Sequence, residues 1–266
     1  MERDELILVR GAGDLGTGIA HALVSDGRRV LVLDRPLPTC LRLTVAFAAA
    51  ALEGQITVLG VEAVHCHDRE EIEAAWASGR APLWTSDPTS LSLRSDVLVD
   101  ARMRSLTEPS ARLGDAQVVI GVGPGFTAGV DAHYVIESNR GPDLGRVLTS
   151  GCAERYTGQP GAVLGYRQER LLIAPRAGMF TRARALGDVV AVDDVVGAVD
   201  GEPVRARLAG MIRGLKLTGV EVGAGHKIGD VDPREDPALL NEMTDKARAI
   251  GRGVLDALAL ARASAL

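Results

Sequence analysis

The chain has 266 residues, 46% of them hydrophobic, enough for real cores, and a two-domain organisation is expected. Thirty Lys and Arg against 35 Asp and Glu leave a net charge of −5, and aromatic residues make up only 3%. With no clustered basic block and few aromatic faces, nucleic acid is excluded as a partner. No apolar run approaches the roughly 18 residues of a membrane span and no cleavable leader precedes the first strand, so no membrane partner and a cytoplasmic location are expected.

Residues 5–10 form an apolar run that ends in a glycine loop, Arg10-Gly-Ala-Gly-Asp-Leu-Gly. Gly11, Gly13 and Gly16 have GxGxxG spacing, and residues 17–25 follow with helical spacing of Ile19, Leu23 and Val24. Residues 29–34 return as a strand that closes on Asp34, where a ribose-binding acid belongs. Glycine lets backbone amides approach an anion, and a helix that starts there adds the positive end of its dipole. A phosphate or carboxylate is therefore expected against Gly11, Gly13, Leu15 and Gly16. Asp14 inside the loop must cap the helix, point away or hold a cation.

Residues 39–51 are apolar and free of Gly and Pro, which predicts a buried helix with Thr39 as N-cap. Residues 55–59 and 61–67 predict a hairpin around Gly60, and residues 69–78 a surface helix with Ile72, Ala75 and Trp76 inward. His65 and His67 share a strand face, but no third or fourth ligand stands near, so a polar hairpin edge is the better reading. Strands are expected at 82–85, 96–100 and 116–121.

The last of these feeds a second glycine loop, Gly121-Val-Gly-Pro-Gly-Phe-Thr-Ala-Gly-Val, with a helix expected over 130–138 and a strand over 146–149. Gly123, Gly125, Thr127 and Gly129 are expected to face the same anion, Phe126 to cover a ring, and Asp131 to open the helix. The three cysteines, Cys40, Cys66 and Cys152, are odd in number and far apart, and read as free thiols.

From residue 171 short β-like pieces alternate with turns, and a shift of 32 residues lays the sequence on itself. Ala177-Gly-Met falls on Ala209-Gly-Met, Gly187 on Gly219, Val190 on Val222, Gly197 on Gly229 and Val199-Asp on Val231-Asp. Two copies of a β unit that close on each other as a small sandwich or barrel are expected. Asp230 and Asp232, beside Gly229 and Pro233, read as a turn rather than a cation site. A swinging-arm carrier is excluded because the only lysines are Lys216, Lys227 and Lys246, none at the junction of the copies. The tail from 241 is an amphipathic helix with a stripe of Met243, Ala247, Ile250, Val254 and Leu258, and Gly251 and Gly253 mark close approach of another backbone.

Taken together, Arg10-Gly-Ala-Gly-Asp-Leu, Gly123-Pro-Gly-Phe-Thr-Ala-Gly-Val-Asp, Arg140-Gly-Pro-Asp-Leu-Gly-Arg-Val, Arg213-Gly-Leu, Lys227-Ile-Gly-Asp-Val-Asp-Pro-Arg and Asp245-Lys-Ala-Arg-Ala-Ile-Gly resemble the YqeB family, accessory proteins of the selenium-dependent molybdenum hydroxylase system. The resemblance runs nearly end to end. It implies a role in maturing a molybdenum hydroxylase, with that enzyme as partner and a molybdopterin-type cofactor or a nucleotide as ligand, and no settled reaction. The stretch after Asp100 departs from the family where a basic residue and Asn are expected, leaving Arg102 or Arg104 to substitute.

The fold class expected from all of this is α/β. A Rossmann-like parallel-sheet domain over 1–163 would be followed by a repeated β domain of barrel-sandwich-hybrid type over 164–234, with 235–266 a helix packing back on the body. Two alternatives stand beside the maturation role: an NAD(P)-dependent oxidoreductase, for which no Tyr-x-x-x-Lys pair is present, and a non-catalytic partner-docking protein. Self-association into a homo-oligomer is left open.

Overall fold

The computed structural model describes residues 5–91, 93–103, 111–155 and 159–264. Two compact units make up the chain: Met1–Pro36, Ala46–Thr157 and Met243–Leu266 form the first, and Leu37–Val45 with Gly158–Glu242 the second.

The strands of the first unit are β1 (Leu6–Arg10), β2 (Arg29–Leu33), β3 (Gln55–Val58), β4 (Val61–His65), β5 (Ala81–Trp84), β6 (Val97–Asp100), β7 (Val118–Val122), β8 (Thr127–Ala128), β9 (Tyr134–Ile136), β10 (Val147–Leu148) and β11 (Gly151–Cys152). Its helices are α1 (Asp14–Ser25), α2 (Ala50–Glu53), α3 (Arg69–Ala77) and α4 (Asp245–Ser264). Nine strands form one sheet in the order β10-β9-β7-β6-β1-β2-β5-β4-β3. Strands β9 through β4 in that order all run parallel, and the central β7, β6, β1 and β2, largely buried on both faces, read as Val, Ile and Leu runs. Leu6, Leu31 and Trp84 pack with Ile72 and Ala75 of α3, whose N-cap Asp68 accepts the Glu71 amide at 2.8 Å.

The Rossmann-like parallel sheet expected above is corrected by this topology. The sheet is mixed, because β3 pairs antiparallel to β4 at one edge and β10 antiparallel to β9 at the other. The strand–helix alternation also fails: the connection from β7 to β9 contains no helix, and the helix expected over 130–138 is instead the strand β9. The local reason is plain. Gly125 and Gly129 turn the backbone through positive φ (+99° and +83°), and Val135 and Ile136 bury both faces of β9 completely.

The helix expected over 39–51 is likewise replaced by two 3-10 turns, Leu43–Val45 and Phe47–Ala49, and the four-residue α2. Ala46 is extended between them. Its neighbours spend their amides elsewhere, Phe47 N–H on Thr17 Oγ1 at 2.8 Å and Ala48 N–H on the Ala12 carbonyl at 2.9 Å. The tail helix does carry its apolar stripe inward, and its glycines mark contacts as their positions predict. A Cβ on Gly251 would stand 2.5 Å from the Gly18 carbonyl of α1, and one on Gly253 2.2 Å from that of Gly145.

The second unit holds β12 (Leu171–Ile173), β13 (Gly178–Arg182), β14 (Val189–Val190), β15 (Val195–Val199), β16 (Glu202–Arg205), β17 (Gly210–Leu215), β18 (Glu221–Val222) and β19 (Lys227–Asp232). Two four-stranded sheets have the orders β16-β15-β13-β18 and β12-β19-β17-β14. Exchanging each strand for its counterpart 32 residues away converts one order into the other. Gly178 thus pairs with Val222 as Gly210 pairs with Val190, and Phe180 with Val199 as Ile212 with Val231. Each copy lends two strands to each sheet, and Phe180, Ile212, Val199 and Val231 meet in one core.

Candidate functional site

Parallel pairing brings the carboxyl ends of β1, β6, β7 and β9 to one edge of the large sheet. The first glycine loop lies there and is folded back on itself. Gly11 has φ +101° and donates to the Leu33 carbonyl at 2.7 Å, and a Cβ on Gly16 would fall 1.7 Å from the Gly11 carbonyl oxygen, so no side chain fits. Gly13 is the N-cap of α1 without a side-chain cap, Asp14 lies in its first turn, and Leu15 is half-buried beside it. The first-turn N–H groups of such a helix have no acceptor within it. Asp34 uses its carboxylate on the loop itself, with Oδ2 accepting Ala12 N–H at 2.7 Å and Oδ1 accepting Arg35 N–H at 2.8 Å.

The second glycine loop divides. Gly123 stays at the edge, with φ +77° and its N–H on the Ile136 carbonyl, and a Cβ on it would stand 2.6 Å from Ser138 Oγ and 2.7 Å from Met103 Sδ. Gly125 turns the chain away from the edge. Phe126 folds onto Gly121 and joins Leu98, Val119, Ala132 and Val135 in a core, leaving no free ring face to cover a ligand. Thr127 N–H donates to Asp131 Oδ2 at 3.0 Å, and Gly129 N–H to the Ala132 carbonyl at 2.8 Å. Asp131 therefore closes a turn between strands, not the start of a helix.

Groups outside the two glycine loops fill the same edge. Arg102 forks onto the buried Asp100 through Nε at 2.9 Å and a terminal nitrogen at 2.5 Å, which raises the Arg102 pKa. Arg104 lies outside the described residues. Beyond β9, Glu137 is buried and accepts three backbone N–H groups at 2.7 Å, from Ser138, Asn139 and Glu154. Arg140 clamps Asp245 at the start of α4 through two bonds of 2.7 and 2.9 Å. Lys246 follows, its pKa pulled below the ordinary lysine value by burial and then by Arg140, with Glu137 and Asp245 opposing. Among the described residues, no carboxylate forms an ion pair with Lys246, and Ser138 Oγ is fully buried with no hydrogen-bond partner.

Asp34, Asp100, Glu137 and Asp245 are thus each answered by a partner of their own, whereas Lys246 has no ion pair among the described residues and Asp14 places a carboxylate in the first turn of α1. Arg140 and Asp245-Lys246 had a sequence signal in the segments that carry the family resemblance; Ser138 and Glu137 had none. A cavity of about 210 Å³ opens at the amino ends of β2 and β5, lined by Trp76 and three arginines. Arg28, Arg29 and Arg80 are paired there with Asp26, Glu73 and Glu62, so that cavity offers no spare cation. No helix among the described residues is long and apolar enough to cross a membrane.

Sheet and edge together define an α/β protein whose glycine loop and helix start lie at the carboxyl edge of a mixed sheet. No family model matches the chain. A curated relative is the protein named YqeB of Escherichia coli (strain K12), itself described as uncharacterized, 42% identical over 256 residues. The match takes in 96% of this chain and 47% of that protein, so the chain spans about half the length of the relative, and the likeness supports the YqeB family.

Among solved structures, an aspartoacylase family protein of Mesorhizobium loti matches at 12% identity over 87% of this chain and 86% of that one, with a TM-score of 0.27. A succinylglutamate desuccinylase/aspartoacylase of Rhodobacter sphaeroides matches at 16% identity over 85% of each chain, with a TM-score of 0.26. No residue correspondence follows at such TM-scores.

Proposed function

We propose that the carboxyl edge of the nine-stranded sheet binds a phosphate-bearing small ligand of the nucleotide or molybdopterin class, and that the chain serves as an accessory factor in maturing a molybdenum hydroxylase. The observation that supports the ligand is the charge balance of the edge, where Lys246 is a cation without an ion pair among the described residues, together with the positive end of the α1 dipole. The buried, unpartnered Ser138 Oγ is a further donor beside Gly123. The maturation role rests on the family resemblance of the Gly123–Asp131 and Lys227–Arg234 segments.

Native mass spectrometry of gently purified protein tests the reading, with thermal shift in millimolar nucleotide or pterin phosphate beside it. A retained ligand of either class, or a saturable shift, is expected. Neither ligand nor shift would reject the proposal.

A further inference from the structure

The second unit repeats itself in backbone but not in charge. On β17 and β19 stand Arg213 and Asp230, where the other copy has Thr181 and Ala198. Around them gather Arg42, Arg170, Lys227, Asp232 and Arg234, all within the same unit. Asp232 is completely buried and accepts from Arg234 at 2.9 and 2.7 Å, and Asp230 accepts from Lys227 at 2.8 Å and from Arg170 at 3.5 Å. Arg170 also donates to the carbonyls of Val231 and Gly161, and Arg42 to those of Leu239 and Glu242.

Arg213 is the exception. Its Nε reaches the Leu239 carbonyl only at 3.5 Å, and a terminal nitrogen stands 3.9 Å from Asp232 Oδ2. Its side chain is 16% exposed, mostly buried but not sealed from water. Burial lowers its pKa first and Arg42 next, with Arg234 adding to the repulsion and Asp230 and Asp232 opposing it. A planar fork of donors in this condition is stabilised by two oxygens of an anion.

We infer that Arg213, flanked by Arg42 and Arg234, binds a small oxyanion of phosphate or carboxylate type on the second unit. The site's residues all belong to the second unit.

The test is a titration of the full chain, followed through arginine Nε–H signals, with the Arg213 signal identified by its loss in Arg213→Gln. Inorganic phosphate and malonate are the probes and separate the two anion types, with chloride at equal ionic strength as control. Saturable movement of that signal with phosphate or malonate, and retained in Lys246→Gln, is expected. Movement equal to that in chloride, or none, overturns the inference. Arg213→Gln in anion-free buffer is expected to be at least as stable as the parent and to lose the roughly elevenfold gain in folding constant that a probe at ten times its Kd confers. A variant that is destabilised without anion, or fails to fold, makes Arg213 a structural cation and likewise overturns it.

Discussion

Replacing Glu137 by Gln tests the central support of the edge. The carboxylate accepts three backbone N–H groups at 2.7 Å in a residue only 4% exposed. A glutamine oxygen can keep the Ser138 and Asn139 amides but loses the charge on both bonds, about 1 kcal/mol each. Its NH2 group then faces the Glu154 amide, donor against donor, and a stranded buried N–H costs a further ~1–3 kcal/mol. The expected loss is therefore about 3–5 kcal/mol, a large part of the ~5–15 kcal/mol that holds a domain folded. Both tryptophans, Trp76 and Trp84, belong to the first unit, so urea denaturation followed by their fluorescence reports that unit. With a urea slope of about 1–3 kcal/mol/M, the midpoint should fall by about 1 M or more. A midpoint within about 0.3 M of the parent, at unchanged slope, would show that Glu137 does not organise this edge.

Lys246→Gln should weaken binding of inorganic pyrophosphate about 10- to 150-fold by calorimetry, the loss of one charge-assisted contact. The same variant changes the pH profile. Because the folded-state pKa of Lys246 lies below 10.5, the unfolded chain binds more protons between the two values, so the parent gains stability as pH rises toward 10.5 and the variant lacks that part of the gain in urea titrations from pH 8 to 10.5. Burial pushes the Cys66 thiol up to about 11, whereas Cys152 is exposed. Iodoacetamide at pH 8 should label Cys152 in the folded protein and Cys66 only after unfolding, read by peptide mass. Gly251→Val drives side-chain atoms onto the Gly18 carbonyl and should cost about 1–3 kcal/mol, seen as a lowered melting temperature.

Local pattern reached as far as local physics does. The strand, glycine loop and helix of residues 6–25, the Asp68-capped α3 and the stripe of α4 each announce themselves within a dozen residues, because period and capping chemistry act at that range. The stretch 39–51 misled because buried Ala, Val and Phe suit any compact backbone, and its amides are claimed by Thr17 and Ala12, far off in sequence. Residues 130–138 misled because a glycine loop before an apolar run reads alike whether a helix or a strand follows. The edge itself was half legible. Gly11, Gly13, Gly16 and Asp34 declare a tight loop, but the meeting of Ser138 with Gly123 and of Arg140 with Asp245 depends on how distant elements pack. No window of sequence holds that information.

The discontinuity of the first unit bears on how the chain is made. Residues Met243–Leu266, which include α4 and Lys246, are synthesised after all of Gly158–Glu242. On a ribosome the second unit therefore has its full complement of residues while the first still lacks the helix that covers Gly18 and Gly145. Until translation passes α4 the nascent first unit exposes an unfilled apolar groove, and the sheet edge that Lys246 borders is completed only after the whole second unit has been made.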